Sequence, residues 1–404
     1  MTVSLSTCRP HLGAVLERAY AGMPLAAAEV YAFEHTTSSE LLALLHVADA
    51  LRSQSHGDII TYSPKVFLPL TNLCRDYCGY CTFRKDPGEA GARTMTPEEV
   101  LAVATAGAKL GCKEALFSLG DKPEALFPEM RQTLAQYGHR RTIDYLVEMC
   151  QLVLDHTSLL PHANPGVMGP RDLERLREVS PSMGIMLETT SRRLLGKGMA
   201  HDNAPDKDPA VRLKTIENAG KLRIPFTTGM LIGIGETFAE RVDTLCAIRD
   251  VHERYGHIQE VIIQNFRAKA DIPMHAHPEP TLLDFLRTIA VARIILGGEM
   301  NVQAPPNLTP EQYQLLITAG INDWGGISPL TIDFINPEAP WPQIRTLERV
   351  SAELGLRLRQ RLTVYPEYIV HKQAFMADTL APRVQAMVDE DGYPLEDKKG
   401  VASS

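Results

Sequence analysis

Three of the chain's seven cysteines stand together. Cys74, Cys78 and Cys81 lie in LTNLCRDYCGYCTFR with the spacing C-x3-C-x2-C. Positions i, i+4 and i+7 share one face of a helix, so the group reads first as a small apolar stripe. Arg75, Asp76, Tyr77 and Gly79, which separate the cysteines, suit an exposed loop or single turn better than a core helix. A zinc site is the second reading, but structural zinc takes four Cys/His ligands in a closed tetrahedron. No His or Cys follows nearby, and His56 precedes a strand on the other side. An iron–sulfur cluster is the third reading, since thiolates are its usual ligands. Three thiolates on a 4Fe–4S cluster leave one iron open to a substrate or cofactor.

The elements that must position these thiols form a repeating pattern. Short apolar runs recur from residue 65 onwards: KVFLPL, EALFSLG, SLLPHAN, MGIMLET, FTTGMLIG, EVIIQNF, MNVQAP and INDWGGIS. Amphipathic helical stretches separate them. TPEEVLAVATAGAKLG opens with Thr96 as N-cap and Pro97 at the first helical position, and stops at Gly111. Strands alternating with helices predict a parallel sheet, and eight such units fit a (β/α)8 TIM-type barrel, possibly incompletely closed. The cysteines then follow the first strand, at the end where barrels carry their active-site loops. Residues 1–60 read as a helical extension, 61–345 as the barrel, and 346–404 as a C-terminal helical segment and tail. DKDP at 206–209 and the stretch 393–404 read as exposed.

With 44 % hydrophobic residues over 404 positions, a sizeable core is expected. A net charge of −8 argues against a nucleic-acid surface or a polybasic membrane contact. The N-terminus lacks the pattern of a signal peptide, and no apolar run is long enough to span a bilayer, so a cytoplasmic protein is expected. An odd number of cysteines without a secretory signal disfavours a disulfide framework. Cys8, Cys112, Cys150 and Cys246 are scattered, the last three on stretches that read as helical.

Tyr80, immediately before the last cysteine of C-x3-C-x2-C, completes a pattern that resembles the signature of the radical S-adenosylmethionine (SAM) enzymes. The resemblance implies a 4Fe–4S cluster on Cys74, Cys78 and Cys81, with SAM chelating the open iron. It also implies a 5′-deoxyadenosyl radical that abstracts hydrogen from the substrate. Candidate SAM-contacting residues follow at the strand ends: Tyr80, Gly120, Asp121, Asn164, Glu188, Arg192, Gly233 and Gly235. A glycine permits close backbone approach, a carboxylate pairs with an ammonium, and an arginine forks onto a carboxylate. Ordinary strand-to-loop turns and solvated arginines account for the same residues without a ligand.

Longer segments, among them LLPHANPGVM, IIQNFRAK and DWGGISPLTIDFINPEAPWP, resemble the deazaflavin-forming branch of this superfamily. That resemblance implies cyclisation of a tyrosine-derived hydroxybenzyl–ribityluracil conjugate with loss of ammonia. It implies a partner radical SAM enzyme that supplies the conjugate, and a reductant such as ferredoxin or flavodoxin. Asp323 and His162 are candidates for proton transfer, because both are expected to end strands at the barrel mouth. Three other readings stay open: the conjugate-forming partner itself, a biotin synthase-like enzyme, and a non-catalytic iron–sulfur or zinc protein. The second needs a further cysteine-held cluster, whereas Cys112, Cys150 and Cys246 are expected to point away from the lumen.

Overall fold

All eight apolar runs enter one parallel sheet in the computed structural model, which describes residues 8–395. The strands are β1 (Ile59–Pro69), β2 (Glu114–Ser118), β3 (Leu160–Asn164), β4 (Ser182–Gly184), β5 (Phe226–Ile232), β6 (Ile258–Asn265), β7 (Val302–Gln303) and β8 (Asp323–Ile327). Each pairs with the next, β8 pairs with β1, and β1 pairs with β2 through Lys65–Pro69 and Glu114–Ser118, so the barrel is closed. The closure at β7–β8 is narrow, a single pairing of Gln303 with Asp323.

Helices layer the outside as their end signals dictate. Thr96 accepts from the Glu99 N–H at 3.3 Å while the Glu99 carboxylate accepts from the Thr96 N–H at 2.9 Å. This capping box starts helix Pro97–Lys109, and Gly111 ends it in the left-handed region at φ +82°. Thr37 with Glu40, and Thr237 with Glu240, start helices Ser38–His56 and Phe238–Tyr255 in the same way. The N-terminal extension is helical, and Ser38–His56 packs against the barrel helix Leu282–Leu296. No helix among the described residues is long and apolar enough to cross a membrane.

Four expectations change. A ninth strand, β9 (Arg357–Gln360), lies in the segment read as helical and pairs in parallel with Ile59–Tyr62 of β1. Its sequence RLRQ shows no apolar alternation, because it is an edge strand with little to bury. The MGIMLET run forms only a three-residue strand; the chain then rejoins the sheet through one bridge from Glu188, at φ +67°, to Met230. Cys112 sits in the turn after its helix, not on it. The DKDP stretch is not exposed: Asp206 and Pro209 are buried. The expected frayed tail lies outside the described residues from 396 onwards, and before that Pro394 bridges Val388.

Candidate active site

The loop after β1 carries the cysteines, and its return is pinned by Asn72. That side chain donates to the Gly91 carbonyl and accepts from the Arg93 N–H, each at 2.8 Å, and its own carbonyl accepts from the Lys85 N–H at 2.9 Å. The loop after β4 clasps it from the other side. Gly79 N–H donates to the Ala200 carbonyl at 2.8 Å, and Tyr77 N–H donates to Asn203 at 3.1 Å. Gly120, at the end of β2, is wedged beneath: a Cβ there would lie 1.9 Å from the Leu73 carbonyl oxygen and 2.7 Å from Cys74 Cβ. A glycine is therefore the residue this approach admits.

Cys74 Sγ accepts N–H bonds from Asp76 at 3.4 Å and Asp121 at 3.2 Å. Burial pushes its thiol up to about 12 and raises that of Cys78 as well. Protein surroundings alone thus favour neutral thiols, and an electropositive metal centre supplies what would reverse this. One zinc ion with Zn–S of about 2.3 Å needs sulfurs about 3.8 Å apart. Among the described residues, the one group of three such ligand atoms within 4.8 Å of each other is Asp76, Asp121 and Asp206, so the thiols are spaced too widely for a single ion. Wider spacing, backbone donors to sulfur and the Gly120 cradle all suit a polynuclear cluster.

The three cysteines sit at the mouth of a cavity of about 360 Å³ that runs down the barrel axis. Tyr80, Gly120, Asp121, Asn164 and Glu188 line it with them. Lys207 Nζ lies 2.5 Å from Glu188 Oε1 and 5.6 Å from the centre of the Tyr80 ring, whose hydroxyl meets His201 Nε2 at 3.1 Å. Burial raises the Glu188 carboxyl but the Lys207 and Arg212 charges outweigh it, so Glu188 is held below its ordinary range. Asp121 is pushed up to about 6 by burial, against the attraction of Lys122. Asp206 pairs with Arg75 at 2.6 Å and Lys122 at 3.2 Å, which compensates the acidic trio.

Arg192 lies outside the cavity lining, largely exposed and 3.2 Å from Asp208; its neighbour Arg193 pairs with Glu240. The cations that do face Glu188 are Lys207, from the DKDP stretch read as exposed, and Arg212, from the helix Pro209–Lys221 that follows it. Gly233 and Gly235 also stand behind the lining, at φ +88° and +102°. The Gly233 and Ile234 N–H groups donate to the Glu236 carboxylate, so that turn is satisfied by its own side chain.

Asp323 and His162 do not end strands at the mouth. Asp323 opens β8 at the closed end, fully buried, with Arg361 forked onto it at 2.6 and 2.9 Å. His162 is mid-strand in β3; its Nδ1 lies 2.6 Å from Ser182 Oγ, and burial pushes its pKa down to about 4. Arg361 and Thr363, which follow β9, line the cavity floor. Nothing in the polar C-terminal sequence signalled them. No cysteine other than Cys74, Cys78 and Cys81 lines the cavity among the described residues; Cys112, Cys150 and Cys246 are buried in the core around the barrel. A second cysteine-held cluster has no site there.

Comparison with known proteins agrees with this geometry. The radical SAM superfamily profile matches residues 68–246. The chain is 48 % identical over 335 residues to the 7,8-didemethyl-8-hydroxy-5-deazariboflavin synthase of Methanopyrus kandleri, covering 83 % of this chain and 99 % of that one. It is 53 % identical over 336 residues to the FO synthase of Mycobacterium tuberculosis, covering 82 % of this chain and 39 % of that one. The chain thus spans well under half the length of that FO synthase. Two solved structures share the fold. One is the FeFe-hydrogenase maturase HydG of Carboxydothermus hydrogenoformans, with TM-score 0.70 at 17 % identity over 93 % of this chain and 89 % of that one. The other is methylornithine synthase (PylB), with TM-score 0.66 at 17 % identity over 85 % and 97 %. The cysteine loop, the closed barrel and these relatives lead to one conclusion: the chain belongs to the radical SAM superfamily, in the family of the 7,8-didemethyl-8-hydroxy-5-deazariboflavin synthases, a family that implies a 4Fe–4S cluster and SAM.

Proposed function

We propose that this protein closes the third ring of a tyrosine-derived hydroxybenzyl–ribityluracil conjugate, releasing ammonia and yielding 7,8-didemethyl-8-hydroxy-5-deazariboflavin. The observation that carries the reading is the 48 % identity, over 99 % of its length, to a Methanopyrus enzyme of that name. Cys74, Cys78 and Cys81 hold a 4Fe–4S cluster and leave one iron for SAM. When bound, the cluster and SAM together supply a 5′-deoxyadenosyl radical for hydrogen abstraction.

The chain's own residues supply position and exclusion of water. Gly120 lets the β2 end approach the cysteine loop, and Asp121 and Glu188 present carboxylates toward an ammonium or ribose hydroxyls. Lys207 fixes the Glu188 carboxylate in place. Tyr80 backs the mouth with Leu194, Ile234 and Phe266, an apolar wall that keeps solvent from the reacting atoms. A radical SAM partner that makes the conjugate, and a one-electron reductant such as ferredoxin or flavodoxin, complete the system.

The test is anaerobic incubation of the reconstituted protein with the synthesised conjugate, SAM and reductant. A fluorescent deazaflavin forming in step with 5′-deoxyadenosine supports the assignment. 5′-Deoxyadenosine without deazaflavin would move the chain to another radical SAM reaction. Absence of both would remove the radical reading.

A further inference from the structure

The interior of a closed parallel barrel is ordinarily filled by branched aliphatic side chains. Here the inward positions nearest the closed end are Lys65, Glu114, His162, Glu260 and Gln303, from five strands, and all of them line the cavity. The charged members are already satisfied. Lys65 Nζ lies 2.7 Å from Glu114, whose other oxygen accepts from Ser63 at 2.5 Å. Arg361 lies 3.0 Å from Glu260, whose other oxygen accepts from Thr227 at 3.0 Å, and Arg361 also forks onto Asp323. Three carboxylates face two cations, which disfavours an anionic ligand. Every carboxylate oxygen is taken, so a cation finds no open acceptor.

What remains is neutral hydrogen-bonding capacity of both senses. Gln303 is buried at 5 % exposure, yet its amide makes no hydrogen bond to any described residue. His162 Nε2 has no partner among the described residues, while Nδ1 is held by Ser182 and Thr363. Lys65 uses one of its three protons. Room for two of these side chains is made by β8, which runs between β7 and β1. A Cβ on Gly325 would lie 2.2 Å from Gln303 Nε2, and one on Gly326 would lie 2.3 Å from Lys65 Cε. The paired glycines of DWGG therefore form a bare floor over which the amide and the lysine are laid.

We infer that the closed end is a subsite for an uncharged polyhydroxylated chain, bound by Gln303, His162 and Lys65. Each hydroxyl both donates and accepts, which matches mixed groups spread over three strands better than a single planar imide edge would. The opposite end supplies aromatic faces for planar rings: Phe83, Phe266 and Phe334, on the loops beyond β1, β6 and β8. Resting on the function proposed above, this orients the conjugate with its ribityl arm down the barrel and its reacting rings under the cysteines.

Anaerobic titration of the reconstituted protein tests it, using 7,8-didemethyl-8-hydroxy-5-deazariboflavin and the same ring carrying methyl in place of the ribityl arm. Ring fluorescence reports binding. The ribityl compound is expected to bind about tenfold tighter or more, as two or three net hydrogen bonds would give. Gln303→Leu should cut that ratio to about threefold or less. Affinity for the methyl compound should stay within roughly twofold, which reports an intact barrel and ring site. Equal binding of both compounds by the unaltered protein, or an unchanged ratio in the Gln303→Leu variant, overturns the subsite while deazaflavin formation from the conjugate still stands. If neither compound binds and no deazaflavin forms, the functional reading falls and takes the ribityl assignment with it.

Discussion

Arg361 grips Asp323 inside the barrel through two bonds, Nε to Oδ2 at 2.6 Å and Nη2 to Oδ1 at 2.9 Å, with both side chains essentially without solvent contact. A residue from beyond the ninth strand thus anchors the start of the eighth. Arg361→Met leaves Asp323 and Glu260 without their guanidinium, and a loss of about 3–5 kcal/mol of stability is expected. Adding Asp323→Leu should restore part of it, because no buried charge is then stranded at that position. Chemical denaturation of the single and double variants measures the coupling. A stable but inactive Asp323→Ala protein would instead return Asp323 to the chemistry.

The cysteine assignment gives an all-or-none outcome. Cys74→Ala, Cys78→Ala or Cys81→Ala should each abolish retained iron and 5′-deoxyadenosine formation. Cys112→Ser, Cys150→Ser and Cys246→Ser, which alter core positions away from the cavity, should keep reconstituted iron near the unaltered level. Loss of iron in any of the latter, at unchanged melting temperature, would refute the ligand set.

These two cases show what could be read from the chain and what could not. The strands announced themselves as short apolar runs, and the thiols by their spacing. The charged floor was hidden because Lys65 in SPKVFLP and Glu114 in KEALF look like the outward positions of half-exposed strands. In a barrel with a polar lumen the usual rule inverts, and hydrophobicity marks the outer face that meets the helices. Lys207 was missed for a related reason: DKDP has the composition of a solvated turn, and only its contact with Glu188 explains its burial. Arg192 attracted attention because it follows a strand run, but the chain leaves the sheet early there and carries it outward.

Lys207 and Glu188 make a second buried pair whose halves should fail separately. Lys207→Met strands the Glu188 carboxylate and is expected to cost roughly 3 kcal/mol or more. SAM binding to the reconstituted protein, read by equilibrium dialysis, should weaken on the order of tenfold. Unchanged dialysis curves would detach this pair from the cofactor site.

Gly120→Ala places a methyl group 1.9 Å from the Leu73 carbonyl oxygen. Backbone must shift to admit it, at an expected cost of about 1–3 kcal/mol. The loop that shifts carries Cys74, so iron retention should fall together with melting temperature. Normal iron content in a soluble Gly120→Ala protein would show that the loop tolerates the displacement.

A pH effect is expected far from the barrel mouth. Glu40 accepts from Arg9 Nε at 2.7 Å and from the Thr37 N–H at 2.8 Å. The Arg9 hydrogen bond, then the Thr37 backbone bond, hold its carboxyl down at about 2. A depressed folded-state value stabilises at pH above the unfolded carboxyl value, near 4.5, and that contribution is lost as pH falls from there toward 2. Glu40→Gln should therefore lower the melting temperature by a few degrees at pH 7, with the gap to the unaltered protein narrowing below about pH 4.5 and closing as pH approaches 2. A gap that stays constant across that range would contradict the assignment.

The pairing of β1 with β9 has a consequence for how the chain reaches this fold. Residues roughly 300 positions apart must meet before the lower edge of the first strand is covered. During synthesis that edge, and the cysteine loop directly above it, exist for most of the time of elongation without their final neighbours. Barrel completion therefore waits on a segment made roughly 300 positions after the first strand, and that segment seals the end of the barrel opposite the thiols.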